Sequence, residues 1–122
     1  MIQTARFMVA VALGFVAVVP AAAQDNAKAA QGAALFTAQK CTMCHSVAGK
    51  GNPKGALDKI SAKNKAEYIR QWLQDPEGMR AKSNATRTPA MKPLKLSADQ
   101  VDALVAYLTS IKPAAATGDA ER

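Results

Sequence analysis

Cys41-Thr42-Met43-Cys44-His45 is the stretch of this chain whose residue types and spacing can do chemistry. Two thiols three positions apart, followed at once by an imidazole, form the Cys-x-x-Cys-His pattern of covalent c-type haem attachment. Each thiol can add to one vinyl group of a porphyrin, and the two-residue spacer sets the sulfurs the right distance apart to reach both. The adjacent imidazole then lies beneath the iron, where its ring nitrogen can serve as an axial ligand. Cys41 and Cys44 are therefore the expected attachment residues and His45 the expected proximal iron ligand.

Two plainer readings compete. A Cys-x-x-Cys pair is also a redox dithiol, but that chemistry belongs at a helix start within a βαβ pattern. No convincing run of β-branched strand residues follows Met43. Structural zinc normally takes four Cys or His ligands, and this chain holds two cysteines and one histidine. Haem is the stronger reading by a wide margin.

Residues 1–23 carry one basic residue, Arg6, then an apolar run from Phe7 to Val19, then Ala21-Ala22-Ala23 ahead of Gln24. These are the three parts of a secretory signal peptide. The run is short for a membrane span, although an uncleaved anchor is the alternative. Cleavage after Ala23 predicts a periplasmic protein of residues 24–122, the length of one small domain. Loss of Arg6 takes the formal charge from +7 to +6. The lysines are scattered from Lys28 to Lys112 and the aromatics of this segment are only Phe36, Tyr68, Trp72 and Tyr107, a poor basis for nucleic-acid binding. So few large side chains make a thin core for a domain of this size. A flat apolar cofactor would fill it, and the cofactor-free chain is expected to be largely unfolded.

Three helical patterns must position the motif. The first, about Asn26 to Lys40, is alanine-rich and a good helix former. Gly49 to Gly55 reads as irregular. A second helix is expected from Asn64, where Asn64 and Glu67 have capping-box spacing, with Tyr68, Ile69, Trp72 and Leu73 on its apolar face and Asp75-Pro76 as its stop. Gly78 to Pro93 reads as a long loop of the kind that usually carries function. Ser97 and Gln100 form another capping box, behind which Val101, Leu104, Val105, Leu108 and Ile111 repeat at helical spacing. Pro113 ends that helix, and 113–122 reads as a disordered tail.

With these residues in place, the segment 24–112 resembles the class I cytochromes c, specifically the small bacterial single-haem type. The resemblance rests on Gly32-x-x-x-Phe36 in the first helix, the Cys41–His45 motif just after it, a methionine-bearing loop, and Leu104-Val105-Ala106-Tyr107-Leu108 in the last helix. It implies an all-α fold, three or more helices wrapped around one covalently bound haem c with its iron. It also implies that the terminal helices cross closely, with Gly32, Phe36, Leu104 and Tyr107 at the crossing.

Haem iron then needs a distal ligand or an open site. No second histidine exists, and the methionines of the mature segment are Met43, Met79 and Met91. Met43 lies inside the attachment loop. Met91 lies in Thr88-Pro89-Ala90-Met91-Lys92-Pro93, braced by two prolines as in the family's ligand loop, and is the expected ligand; Met79 is the runner-up. Lys92 intervenes where the family often has proline. Gly51-Asn52-Pro53 and Gly55-Ala56 replace its usual Gly-Pro pair, so the carbonyl expected to orient His45 is assigned only loosely to Pro53. Trp72 either donates to a haem propionate or fills the core.

The resemblance implies an electron carrier rather than an enzyme, either free or as the electron-transfer subunit of a larger oxidoreductase. A monomer is expected, meeting redox partner proteins that carry acidic docking faces. A haem sensor or haem enzyme with an open distal site is the alternative.

Overall fold

Alanine-rich and amphipathic segments, punctuated by Asp-Pro and Ser-x-x-Gln signals, fold into five α-helices among the described residues: α1 Ala21–Ala38, α2 Ile60–Lys63, α3 Ala66–Gln74, α4 Pro76–Ser83 and α5 Ala98–Ser110. The structure is a computed structural model and describes residues 18–113. Residues 1–17 of the leader expected at 1–23 and 114–122 of the tail expected at 113–122 lie outside those residues. Among the described residues no helix is long and apolar enough to cross a membrane.

Helix α1 begins earlier than Asn26, because Ala21-Ala22-Ala23 are strong helix formers. It stops before Lys40, which takes a left-handed conformation with φ 56°. Helix α5 starts at the expected capping box: the Gln100 amide donates to Ser97 Oγ and the Ser97 amide to Gln100 Oε1, at 3.3 and 2.9 Å. Both helices bury the faces that their spacing marks, Gly32 and Phe36 on α1 and Val101, Ala103, Leu104, Val105 and Leu108 on α5.

These faces meet at Gly32. A Cβ there would stand 1.9 Å from the Ala103 carbonyl oxygen and 2.6 Å from Tyr107 Cβ, so only glycine allows the approach. Phe36 and Tyr107 close the crossing edge to face, with ring centroids 5.7 Å apart and planes at 61°. Leu104 beside them is fully buried. Ile69 and Leu73 of α3 complete the core with Val101, Val105 and Leu108. Because the clash is with backbone, Gly32→Ala is expected to destabilise at or beyond the top of the ~1–3 kcal/mol typical of overpacking. Denaturant unfolding of the haem-loaded protein checks it, and an unchanged midpoint would refute the close crossing.

The middle of the chain departs from expectation. Asn64 does not N-cap α3: its backbone and side-chain amides donate to the Ile60 carbonyl at 3.0 and 3.3 Å, closing α2, and α3 starts at Ala66 behind Lys65 without a side-chain cap. The local bond to α2 outcompetes the cap. Asp75-Pro76 ends α3 and also starts α4, since Asp75 accepts from the Gly78 amide at 2.9 Å and proline suits the first helical position. The long loop expected from Gly78 is therefore shorter, running from Asn84 to Ser97. Gly49 to Gly55 is not wholly irregular either. Lys50–Gly51 pairs antiparallel with Ser46–Val47 as a two-residue ribbon, β1 and β2, and Pro53–Gly55 is a 3-10 turn.

Arg70 joins α3 to α5 through Asp102 at 2.5 Å, with Glu67 at 3.9 Å. The pair is partly exposed, so its net worth is about 0–1 kcal/mol. The Ser61 hydroxyl donates to the Ile111 carbonyl and ties α2 to the end of α5.

Candidate cofactor site

The left-handed turn at Lys40 swings the chain out of α1 into a 3-10 helix over Cys41–Met43. In such a turn side chains three apart eclipse, which brings the two cysteines of the motif to one side. The Cys41 carbonyl accepts from the amides of Cys44 and His45, at 3.1 and 2.8 Å. Local backbone bonding thus fixes the spacing on which attachment depends. Cys41 is half-buried against the core cluster, Cys44 is exposed, and Met43 points outward at 69% exposure.

A second layer of bonds holds this turn from outside. The Asn52 amide donates to the carbonyls of Thr42 and His45 at 3.0 and 3.1 Å, and its side chain donates to the Met43 carbonyl at 3.1 Å. Gly51, with φ 109°, makes room, since a Cβ there would lie 2.2 Å from the His45 oxygen. Asn52 therefore contacts three of the five motif residues. Its place in a Gly-Asn-Pro turn was the only signal in the sequence.

His45 Nδ1 donates to the Gly55 carbonyl at 3.0 Å. Carbonyl oxygen cannot donate, so the proton must sit on Nδ1, and Nε2 keeps its lone pair for a metal. The expected backbone acceptor exists, but it is Gly55 and not Pro53: the 3-10 turn carries the chain two residues further before a carbonyl faces the ring. Burial holds the imidazole below its ordinary pKa; the Gly55 bond opposes this and the nearby Arg87 charge reinforces it. The ring is neutral at neutral pH, as ligation requires. Burial also raises the Cys41 pKa, against a lowering backbone bond and with a further rise from Cys44. A thiol so protonated is unlike the low-pKa thiolates of redox dithiols.

Met91 is half-buried and packs against the core cluster, as do Val47, Leu57, Ile60, Leu94 and Leu96. Met79 is enclosed in α4 with only 5% of its surface exposed, its backbone tied at both ends through Asp75 and Ser83. It has little free face to offer a ligand. Trp72 is half-buried and lies outside the buried core cluster. Among the described residues no three His, Cys, Asp or Glu side chains are placed to hold a metal ion. The motif instead offers two thiols and one lone-pair imidazole nitrogen, and the half-buried Met91 lies in the Asn84–Ser97 loop. That set suits an iron that brings four equatorial nitrogens in an apolar ring, so the residues fit haem.

The loop bearing Met91 leaves α4 at Asn84, whose left-handed turn is closed by the Ala85 amide on the Arg80 carbonyl at 3.1 Å. Three residues on, Arg87 Nη2 donates to the Cys44 carbonyl at 2.6 Å. Gly55, the acceptor for His45, lies under the same guanidinium: a Cβ there would meet Cys44 O at 2.1 Å and Arg87 Nη1 at 2.3 Å. Arg87 was not singled out by the sequence reading, because a bond across 43 positions leaves no local pattern; Gly55 was named there, but the acceptor role went to Pro53.

The exposed rim of the motif carries Lys40, Lys50 and Lys54 as well as Arg87. Among the described residues the ion pairs involve Arg70 alone, so the rim charge is not neutralised within the fold. Compared with known proteins, the chain matches the family model described as Cytochrome c over residues 29–112. No curated protein and no solved structure matches.

Proposed function

Because the chain belongs to the cytochrome c family, which binds haem through iron and transfers electrons, we propose that it is a secreted mono-haem carrier of single electrons between redox partners in the periplasm. The bound haem supplies an iron that is alternately ferric and ferrous. All else rests on this chain's residues. Cys41 and Cys44 hold the porphyrin as thioethers, and His45 ligates through Nε2 while the Gly55 carbonyl fixes its ring. Met91 would supply a thioether sulfur, a soft ligand that favours the reduced state and raises the potential. With His45 and Met91 both ligating, the protein would leave no open position where oxygen or peroxide could react. The observation that supports this reading is the motif turn itself, where Cys41 and Cys44 bracket a 3-10 turn beside a His45 whose Nδ1 is held by the Gly55 carbonyl.

The visible and near-red spectrum of the purified protein tests it. A methionine-to-ferric-iron charge-transfer band is expected, and its absence together with ready carbon monoxide binding would replace the carrier by a haem sensor or haem enzyme. Free thiols and no haem would return the redox dithiol.

The unpaired lysines around the exposed Cys44 edge suit an acidic docking face on a donor or acceptor. They would raise encounter rates rather than final affinity. Raising ionic strength from low salt to about 0.5 M should therefore slow bimolecular electron transfer by roughly tenfold or more. Stopped-flow mixing with an acidic redox partner measures this, and a rate indifferent to salt would remove the steering role.

A further inference from the structure

Arg87 spans two parts of the site that the chain keeps far apart. It belongs to the Asn84–Ser97 loop, four residues before Met91, yet its guanidinium donates to the Cys44 carbonyl at 2.6 Å and occupies the space over Gly55. The backbone beneath it is itself fixed, with Cys44 bonded to Cys41 and Gly55 to His45. Between Arg87 and the capping box at Ser97 the loop contains no helix or strand. Its two firm ends are therefore this guanidinium and the start of α5.

We propose that Arg87 is a positioning residue for the distal ligand: it anchors the Met91 loop to the backbone of the attachment motif, so that the Met91 sulfur is held over the iron. The inference rests on the assignment of Met91 as ligand. It commits the proximal and distal sides to one another, since a residue of the loop carrying Met91 reaches the Cys44 carbonyl. Glycine at position 55 is part of the device, because any side chain there would displace the guanidinium. Lysine could preserve the charge but not the planar two-nitrogen seat over Gly55.

The test uses haem-loaded Arg87→Gln and Arg87→Lys, with carbon monoxide binding to the ferrous form and imidazole binding to the ferric form as readouts. Both added ligands must wait for Met91 to leave. Loss of one charge-assisted bond at an exposed position should speed this opening about threefold to tenfold in Arg87→Gln, and about twofold to threefold in Arg87→Lys. The charge-transfer band should persist but weaken. Wild-type rates for both added ligands in Arg87→Gln would overturn the proposal; should that variant fail to load haem, wild-type rates in Arg87→Lys would do so. A wild-type protein that lacks the band and binds carbon monoxide freely would instead refute Met91 as the ligand, and the role of Arg87 would fall with it.

Discussion

Met91→Ala is expected to abolish the methionine–iron charge-transfer band, open the ferrous iron to carbon monoxide, and lower the reduction potential by on the order of 100 mV or more. The size follows from what is removed. A thioether withdraws electron density toward sulfur and favours ferrous iron, whereas water or an empty position does not. Met79→Ala should leave the band, the potential and carbon monoxide binding nearly unchanged, because Met79 is enclosed in α4. Its cost is to stability instead, about 2–5 kcal/mol for a buried methionine cut to alanine. The two variants thus separate by kind of effect and not only by degree. If Met79→Ala removes the band and Met91→Ala does not, the ligand is Met79 and helix α4 must rearrange on haem binding.

The second large effect concerns attachment. Acid-acetone extraction of the wild type should leave haem on the polypeptide, and Cys41→Ala combined with Cys44→Ala should leave none. That double variant should also lose most of its helix signal by circular dichroism. The buried core consists of Phe36, Ile69, Leu73, Val101, Leu104, Val105 and Leu108, too few large side chains for a small domain to be comfortably stable without a further source of burial. The half-buried ring of Val47, Leu57, Ile60, Leu94 and Leu96 around that core gains full burial only against an added apolar surface. Extractable haem in the wild type would refute covalent attachment. A well-folded, haem-free double variant would show that the helices suffice by themselves.

Much of this architecture is legible in the residues because it is local. The capping box at Ser97 and Gln100, the helical spacing behind it and the alanine-rich first helix each announce themselves within one or two turns. The attachment motif does so within five residues. Asp75-Pro76 was read as a stop because proline cannot extend the preceding helix, yet the same pair is a good start, and only the Asp75 bond to Gly78 reveals the double use. Asn64 had the spacing of a cap and was drawn away by Ile60, a neighbour on the other side. The roles of Gly55 and Asn52, and Arg87 altogether, were illegible for a different reason. Each acts through a backbone carbonyl, and carbonyls carry no residue type for a pattern to register.

The meeting of α1 and α5 also governs how the molecule bears force. Asp25 and Asn26 line the same small cavity as Thr109 and Ser110, so the start of the first helix and the end of the last are neighbours. Tension applied between the two ends would pass straight through the contact at Gly32 and leave the Cys41–Gly55 turns, stitched by their own short-range bonds, out of the line of load. The crossing is the clasp of a closed ring. Pulled from its ends, the ring opens at the clasp before the strain reaches the residues that would hold the iron.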